Sequence, residues 1–447
     1  MKLKKFFAIL LVIVGVLSLV ACGNSDKDTG EDTQASTEDK GGDSETPDDS
    51  GTGEVSEDTL VVAIWDTNQE PGLTQICNEF TEETGIKVDI QVTPWDQYWT
   101  MLEAGATGGS LPDVFWMHSN EFARYAEYDM LLDLTDRIKE SEILDMSKFP
   151  EDITNLYNYN NEKQLAVPKD IDTIALWYNK TMFDEAGLSY PDETWTWDTF
   201  RDAAAKLTKD DGSQYGFSLL GDNGQAGWYN VVYDMDGYII SDDKKSSGFD
   251  QPGTLRAMEF ISDVVLNYCP PYEMVSENTE HGLLQAGVTA MATQGSWMLA
   301  ELCNNEYIQE HCDVAVLPKD AVTGRRASIY NGLGWAADAQ TDKAEEAWKL
   351  IEYLGSEEAQ QRQSDLGVVI SAYEGTTENF VNAYPDFNVQ AYLDMMDDLV
   401  FRPYSKLTVT WENMIYEKLV PAWTGEATIQ DVCADITQEM NSILAEE

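Results

Sequence analysis

Between Leu60 and Val92 the chain reads as strand, helix, strand, and this order constrains the fold more than any other feature of its 447 residues. The first apolar run, Leu60-Val61-Val62-Ala63-Ile64-Trp65, has strand length and ends at Asp66-Thr67-Asn68. A helical pattern through Leu73, Ile76, Cys77 and Phe80 follows and stops at Gly85, after which Ile86 to Val92 alternates as a strand does. A short helix is expected within Tyr98 to Ala106, and Leu111-Pro112-Asp113-Val114-Phe115-Trp116 then supplies a third strand ending at His118, Ser119 and Asn120. Alternating strands and helices predict a mainly parallel α/β sheet, in which ligands sit outside the carboxyl ends of the strands. Trp65 and Asp66 at one strand end, and Trp116, Ser119 and Asn120 at another, therefore face one crevice.

Leu165 to Lys180, LAVPKDIDTIALWYNK, has the β-branched and bulky residues of an extended segment, interrupted by Pro168, Lys169, Asp170 and Asp172. Proline cannot donate to a ladder, and carboxylates resist burial unless paired, so the middle of this stretch is expected to be exposed at a cleft where the chain crosses between lobes. A chain of this length exceeds one ordinary core, which also argues for two lobes. Further on, helices are expected from Trp195 to Leu207, from Pro252 through Val265, from Ala344 to Leu354, from Glu357 to Leu366 and from Ile429 to Leu444. Strands are expected from Gly216, at Asp313 to Leu317 and at Asn331 to Ala337.

Lys2, Lys4 and Lys5 precede an apolar run from Phe6 to Val20 that is shorter than a membrane span and laid out as an export signal. Its end, Leu19-Val20-Ala21-Cys22, resembles the bacterial lipobox, which implies a signal peptide over 1–21 and lipidation of Cys22. Residues 22–58 are dominated by Ser, Thr, Gly, Asp and Glu. They cannot bury enough surface to offset their ordering entropy, so a disordered acidic tether is expected. From Thr59 onward there are 68 acidic against 23 basic side chains. That excess excludes nucleic acid and anionic lipid as natural partners and leaves neutral ligands open. Five cysteines remain beyond Cys22; Cys303 and Cys312 are close enough to close a small loop, although connectivity does not follow from sequence.

Catalytic signals are weak. His118, His281 and His311 show no metal-ligand spacing, no nucleophile elbow or Lys-terminated phosphate loop occurs, and Asp234-Met235-Asp236-Gly237 lacks the distant Glu of a calcium loop. A glycosidase needs two carboxylates flanking a bond, and among 81 acids no pair stands out. No catalytic residue, metal or cofactor is assigned.

Several segments, in order, carry a family likeness: Gly85-Ile86-Lys87-Val88, Pro112 to Trp116, Val167-Pro168 with Trp177 to Lys180, Thr194-Trp195 with Phe200, Ala205 to Thr208, Gly287 to Met291, Gly295-Ser296-Trp297, and Ala344 to Leu354. Together they resemble the bacterial extracellular solute-binding proteins of the carbohydrate-uptake class, the group that includes maltose-binding protein. The resemblance implies a two-lobed periplasmic-binding-protein-like fold of type II, each lobe a mainly parallel sheet flanked by helices, with a ligand cleft between them. The expected division is 59–171 with 313–367 for one lobe and 172–312 with 368–447 for the other.

By the same resemblance the ligand residues are Trp65, Asp66, Trp116, Ser119, Asn120, Asp172, Trp297 and, more loosely, Trp411; Trp228 joins them from its aromatic-rich setting. Flat rings stack on the C–H faces of sugars while Asp and Asn take hydroxyls, yet Trp is also a frequent core residue. The implied protein is a lipid-anchored monomer on the outer face of the cytoplasmic membrane. It passes an oligosaccharide to an ABC permease with a cytoplasmic ATPase. Two other readings stay open: a polyamine-type cationic ligand countered by Asp66 and Asp172, and a cell-surface glycan hydrolase or lectin.

Overall fold

The apolar alternation at the start of the folded region forms β1 (Thr59–Ile64), followed by α1 (Glu70–Thr84), β2 (Lys87–Val92), α2 (Trp95–Gly108), β3 (Val114–Met117) and α3 (Ser119–Glu127). The structure is a computed structural model that describes residues 59–219 and 221–447; the export signal, Cys22 and the acidic tether lie outside the described residues. α1 begins with Pro71 in its first turn. It ends at Gly85, whose φ of 77° is the left-handed conformation a helix stop needs, and buries Leu73, Ile76, Cys77 and Phe80.

The crossing stretch supplies β4 (Val167–Pro168) and β5 (Ile174–Asn179). Beyond it come α4 (Trp197–Leu207), α5 (Pro252–Tyr268), β6 (Met291–Gly295), β7 (Cys312–Ala315) and β8 (Gly334–Ala337). The chain closes with α6 (Ala344–Leu354), α7 (Glu357–Asp365), α8 (Thr408–Trp423) and α9 (Ile429–Leu444).

One sheet has the order β2-β1-β3-β8-β4. β1 pairs in parallel with β2 and β3, placing Val62 opposite both Ile90 and Val114, whereas β8 runs antiparallel between β3 and β4. The other sheet, β7-β5-β6, is antiparallel throughout, and parallel pairing is added by isolated bridges of Tyr215, Ser218 and Thr196 to Thr289, Ala292 and Lys319 and by a short ladder of 328–330 with 399–401. The mainly parallel expectation therefore fits the first lobe better than the second. Strand length and burial are read from residue pattern, but strand direction is set by the connections.

β5 is the central strand of the second sheet. Its two faces pack in different clusters, Ala175 and Trp177 on the side of Leu302, Cys312 and Tyr392, and Ile174, Leu176 and Tyr178 on the side of Phe183, Trp195 and Met291, as the two-residue period of a strand requires. The expected division of the chain shifts accordingly. Position 313 lies inside β7, paired with Tyr178 in the second sheet, and the return to the first sheet is made at Gly334. Tyr392, expected in the second lobe, bonds to the second sheet, its hydroxyl accepting the Trp177 indole N–H at 2.8 Å and donating to Gln294 O at 3.2 Å.

Two further expectations are corrected. Lys169 and Asp170 are buried rather than exposed, because they pair with each other at 2.6 Å and Asp170 also accepts the Leu333 amide at 2.8 Å. Cys303 and Cys312 are both free thiols, buried like Cys77, Cys269 and Cys433.

Candidate functional site

The carboxyl ends of β1, β2 and β3 gather a cluster of aromatic rings. Trp65 leaves β1 and meets Trp95 edge-on at a centroid distance of 5.0 Å and Trp116 at 4.8 Å; Trp95 in turn meets the His118 ring at 5.3 Å. Trp95 opens α2 with 41% of its surface exposed, Trp65 is half-buried, and Trp116 is wholly buried. Behind them the ammonium of Lys169 sits 4.5 Å from the centre of the Trp116 ring and donates to Gln69 Oε1 at 3.0 Å. Gln69 Nε2 donates to Asp66 Oδ2 at 2.8 Å, and Asp66 Oδ1 accepts the Asn68 amide at 2.8 Å. A buried cation thus fixes the orientation of the acid at the strand exit.

At the start of α3, His118 Nδ1 accepts the Asn120 amide at 3.2 Å. Burial, followed by the Arg402 charge, holds the His118 pKa well below its ordinary value, so the ring is neutral, with its Nε2 3.1 Å from the Asn331 carboxamide nitrogen. Asn120 reaches across to the second lobe. Its Nδ2 donates to Glu412 Oε2 at 2.9 Å and its Oδ1 accepts from Arg402. Arg402 and Glu412 form a buried ion pair at 2.7 Å, and Glu412 Oε1 also accepts the Tyr229 hydroxyl at 2.9 Å. Ser119 is buried with its hydroxyl 3.4 Å from His118 Nδ1.

On the crossing stretch, Asp172 Oδ1 accepts Gln225 Nε2 at 2.7 Å and the Asn331 amide at 2.9 Å. Burial and then the neighbouring Asp170 push its carboxyl well above the usual carboxylate range. Trp297 stands half-buried on the turn after β6, and a Cβ at Gly295 would collide with its ring, so glycine is the residue that lets the indole fold back over the strand end. Beside β6, Glu280 is buried with Oε1 accepting Gln294 Nε2 at 2.6 Å and Oε2 without a partner.

Trp65, Asp66, Trp116, Ser119 and Asn120 are thus brought together on the first lobe, with Asn120 bonded to the second. Trp228 and Trp411 are placed elsewhere, wholly buried in the second core, with their indole N–H groups donating to Gly221 O at 3.3 Å and Ser405 Oγ at 2.8 Å. Sequence reasoning passed over Trp95, Lys169, Gln225 and Glu412. Trp95 was findable, since it follows the end of β2 and falls under the same strand-end rule as Trp65; Glu412, one acid among many on a helix, carried no signal.

Comparison with known proteins places this architecture. The profile described as bacterial extracellular solute-binding protein matches residues 66–361. The galactooligosaccharide-binding protein of Bacillus subtilis is 24% identical over 371 residues, covering 80% of this chain and 78% of that protein. Among solved structures, an ABC substrate-binding protein from Listeria monocytogenes in complex with cycloalternan superposes with a TM-score of 0.79 at 22% identity, over 87% of this chain and 99% of that one. The GacH receptor of Streptomyces glaucescens, solved unliganded and with acarbose, gives 0.74 at 20% identity over 87% and 98%. With the profile spanning most of both lobes and the two-lobed fold shared throughout, the chain belongs to the bacterial extracellular solute-binding protein family.

Proposed function

We propose that this protein captures a saccharide, an oligosaccharide in particular, between its lobes and presents it to the transmembrane subunits of an ABC importer. The observation that carries the reading is the wall of Trp65, Trp95 and His118 next to Asn120 and facing the crossing stretch, because rings beside carboxamides and carboxyls suit the C–H faces and hydroxyls of a sugar. Trp297 adds a ring from the other lobe. The sugar-binding relatives and sugar-complexed neighbours of similar fold support the same choice. Closure of the lobes around ligand then turns binding into a signal, with no bond made or broken.

The cationic alternative is weaker on physical grounds. Both oxygens of Asp66 are engaged by Gln69 and Asn68, and Asp172 is pushed toward its neutral form, so neither is a ready counter-charge for an amine. Among the described residues no helix is long and apolar enough to cross a membrane, and attachment through lipid on Cys22 is part of this reading. A thermal-shift screen of the protein with mono-, di- and oligosaccharides and with spermidine tests it. Stabilisation by a sugar is the expected result, and stabilisation by spermidine alone would reverse the choice of ligand.

A further inference from the structure

A cavity of about 720 Å³ lies between α3 and the segment leading into α8, with Ser119 on one side and Tyr404 and Lys406 on the other. It has room for about two sugar rings. In a chain with 81 acidic and 28 basic residues, three lysines line this one space: Lys244, Lys245 and Lys406. Its two acids are already engaged. Asp243 Oδ1 accepts the Ser241 hydroxyl at 2.7 Å and the Lys245 amide at 3.2 Å, while Glu447 accepts the Ser405 hydroxyl and the Leu407 amide, the latter at 2.9 Å. No carboxylate closes a salt bridge with any of the three ammonium groups among the described residues, although the charge of Glu447 acts on Lys244 and that of Lys245 on Asp243.

Lys244 is the most constrained of the three. Its backbone has φ 59°, a conformation that costs energy for a residue with a side chain, and its Nζ lies 3.3 Å from the centre of the Tyr404 ring. Burial brings its pKa down to about 8, and the charge of Glu447 offsets that shift only in part. On the opposite wall Asn158 Oδ1 is buried without a partner, and Asn155 stands beside it. Three lysines against two acids, a free amide acceptor and a flat ring converge on one space large enough for a ligand.

We propose that this cavity binds an acidic saccharide unit, its carboxylate paired with Lys244 and Lys406, its hydroxyls met by Asn155 and Asn158, and a C–H face laid on Tyr404. The inference rests on the saccharide reading above and narrows it to glycans that carry uronic-type acids. The overall negative field repels such ligands, so they are held only where local cations outnumber local acids. Lys244, Lys245 and Lys406 meet that condition.

Calorimetric titration of the full chain in detergent with trigalacturonate, with the neutral maltotriose and galactotriose, and with triglutamate tests the proposal. Trigalacturonate is expected to bind, and Lys244→Met and Lys406→Met should each weaken it by about tenfold without changing the melting temperature or any affinity for the neutral trisaccharides. Affinity unchanged in both variants overturns the assignment, as does triglutamate binding equally well, because the cavity would then read charge and not sugar. Binding of neutral trisaccharides alone refutes the acidic site and leaves the proposed function standing. If no saccharide binds, both fall.

Discussion

Trp297 and Asp172 show how two side chains near one cleft make different demands. Trp297 keeps part of its ring free over the end of β6, so Trp297→Ala should weaken saccharide binding at least about tenfold while the unliganded melting temperature barely moves; calorimetry and a thermal melt check the two halves. A large drop in melting temperature would make it a packing residue. Asp172 has a pKa raised by burial, so between the ordinary carboxylate range and that raised value the folded state binds more protons than the unfolded chain, and stability falls as pH rises. Asp172→Asn removes this cost, and its unfolding free energy relative to the parent should be more favourable at pH 7 than at pH 3, as measured by urea denaturation. An identical difference at both pH values would rule the linkage out. The strand-end rule made the positions of Trp65, Asp66 and Asn120 legible in the sequence, because position in a βα unit fixes where a residue emerges, whereas Trp116 is wholly buried inside β3. Burial of Trp228 and Trp411 was not legible, since a tryptophan beside polar neighbours reads alike whether its N–H faces a sugar or a carbonyl.

At the level of elements, α8 matters more than its amphipathic pattern suggests. Its Glu412 accepts from Arg402, Tyr229 and Asn120, so Arg402→Met leaves a buried carboxylate without its cation and should cost about 3–5 kcal/mol in chemical denaturation. Adding Glu412→Gln should recover a large part of that loss; a double variant no more stable than the single one would show that the pair is not the source. α4 offers a simpler case. The Thr196 hydroxyl accepts the Thr199 amide at 3.2 Å, and Thr196→Ala should cost about 1 kcal/mol by the same assay. The bounds of α6 and α9 follow directly from their apolar periodicity and the left-handed Gly425 before α9, whereas the antiparallel sense of β7-β5-β6 depends on which distant segments meet and has no local signature.

For the molecule as a whole, charge and chain path set the behaviour. With a formal net charge of −53, self-repulsion opposes compaction, so raising NaCl from about 20 mM to about 500 mM should increase the melting temperature; a flat or falling trend would mean that the acids are locally compensated. The chain path has its own consequence. β8 sits between β3 and β4 in the finished sheet, and the bond from the Leu333 amide to Asp170 spans 163 residues of sequence. A polypeptide that emerges N-terminus first therefore cannot complete its first sheet until the return strand has emerged. Until then β1, β2 and β3 can pair with one another, but β3 and β4 have no strand between them and the first lobe stays unfinished.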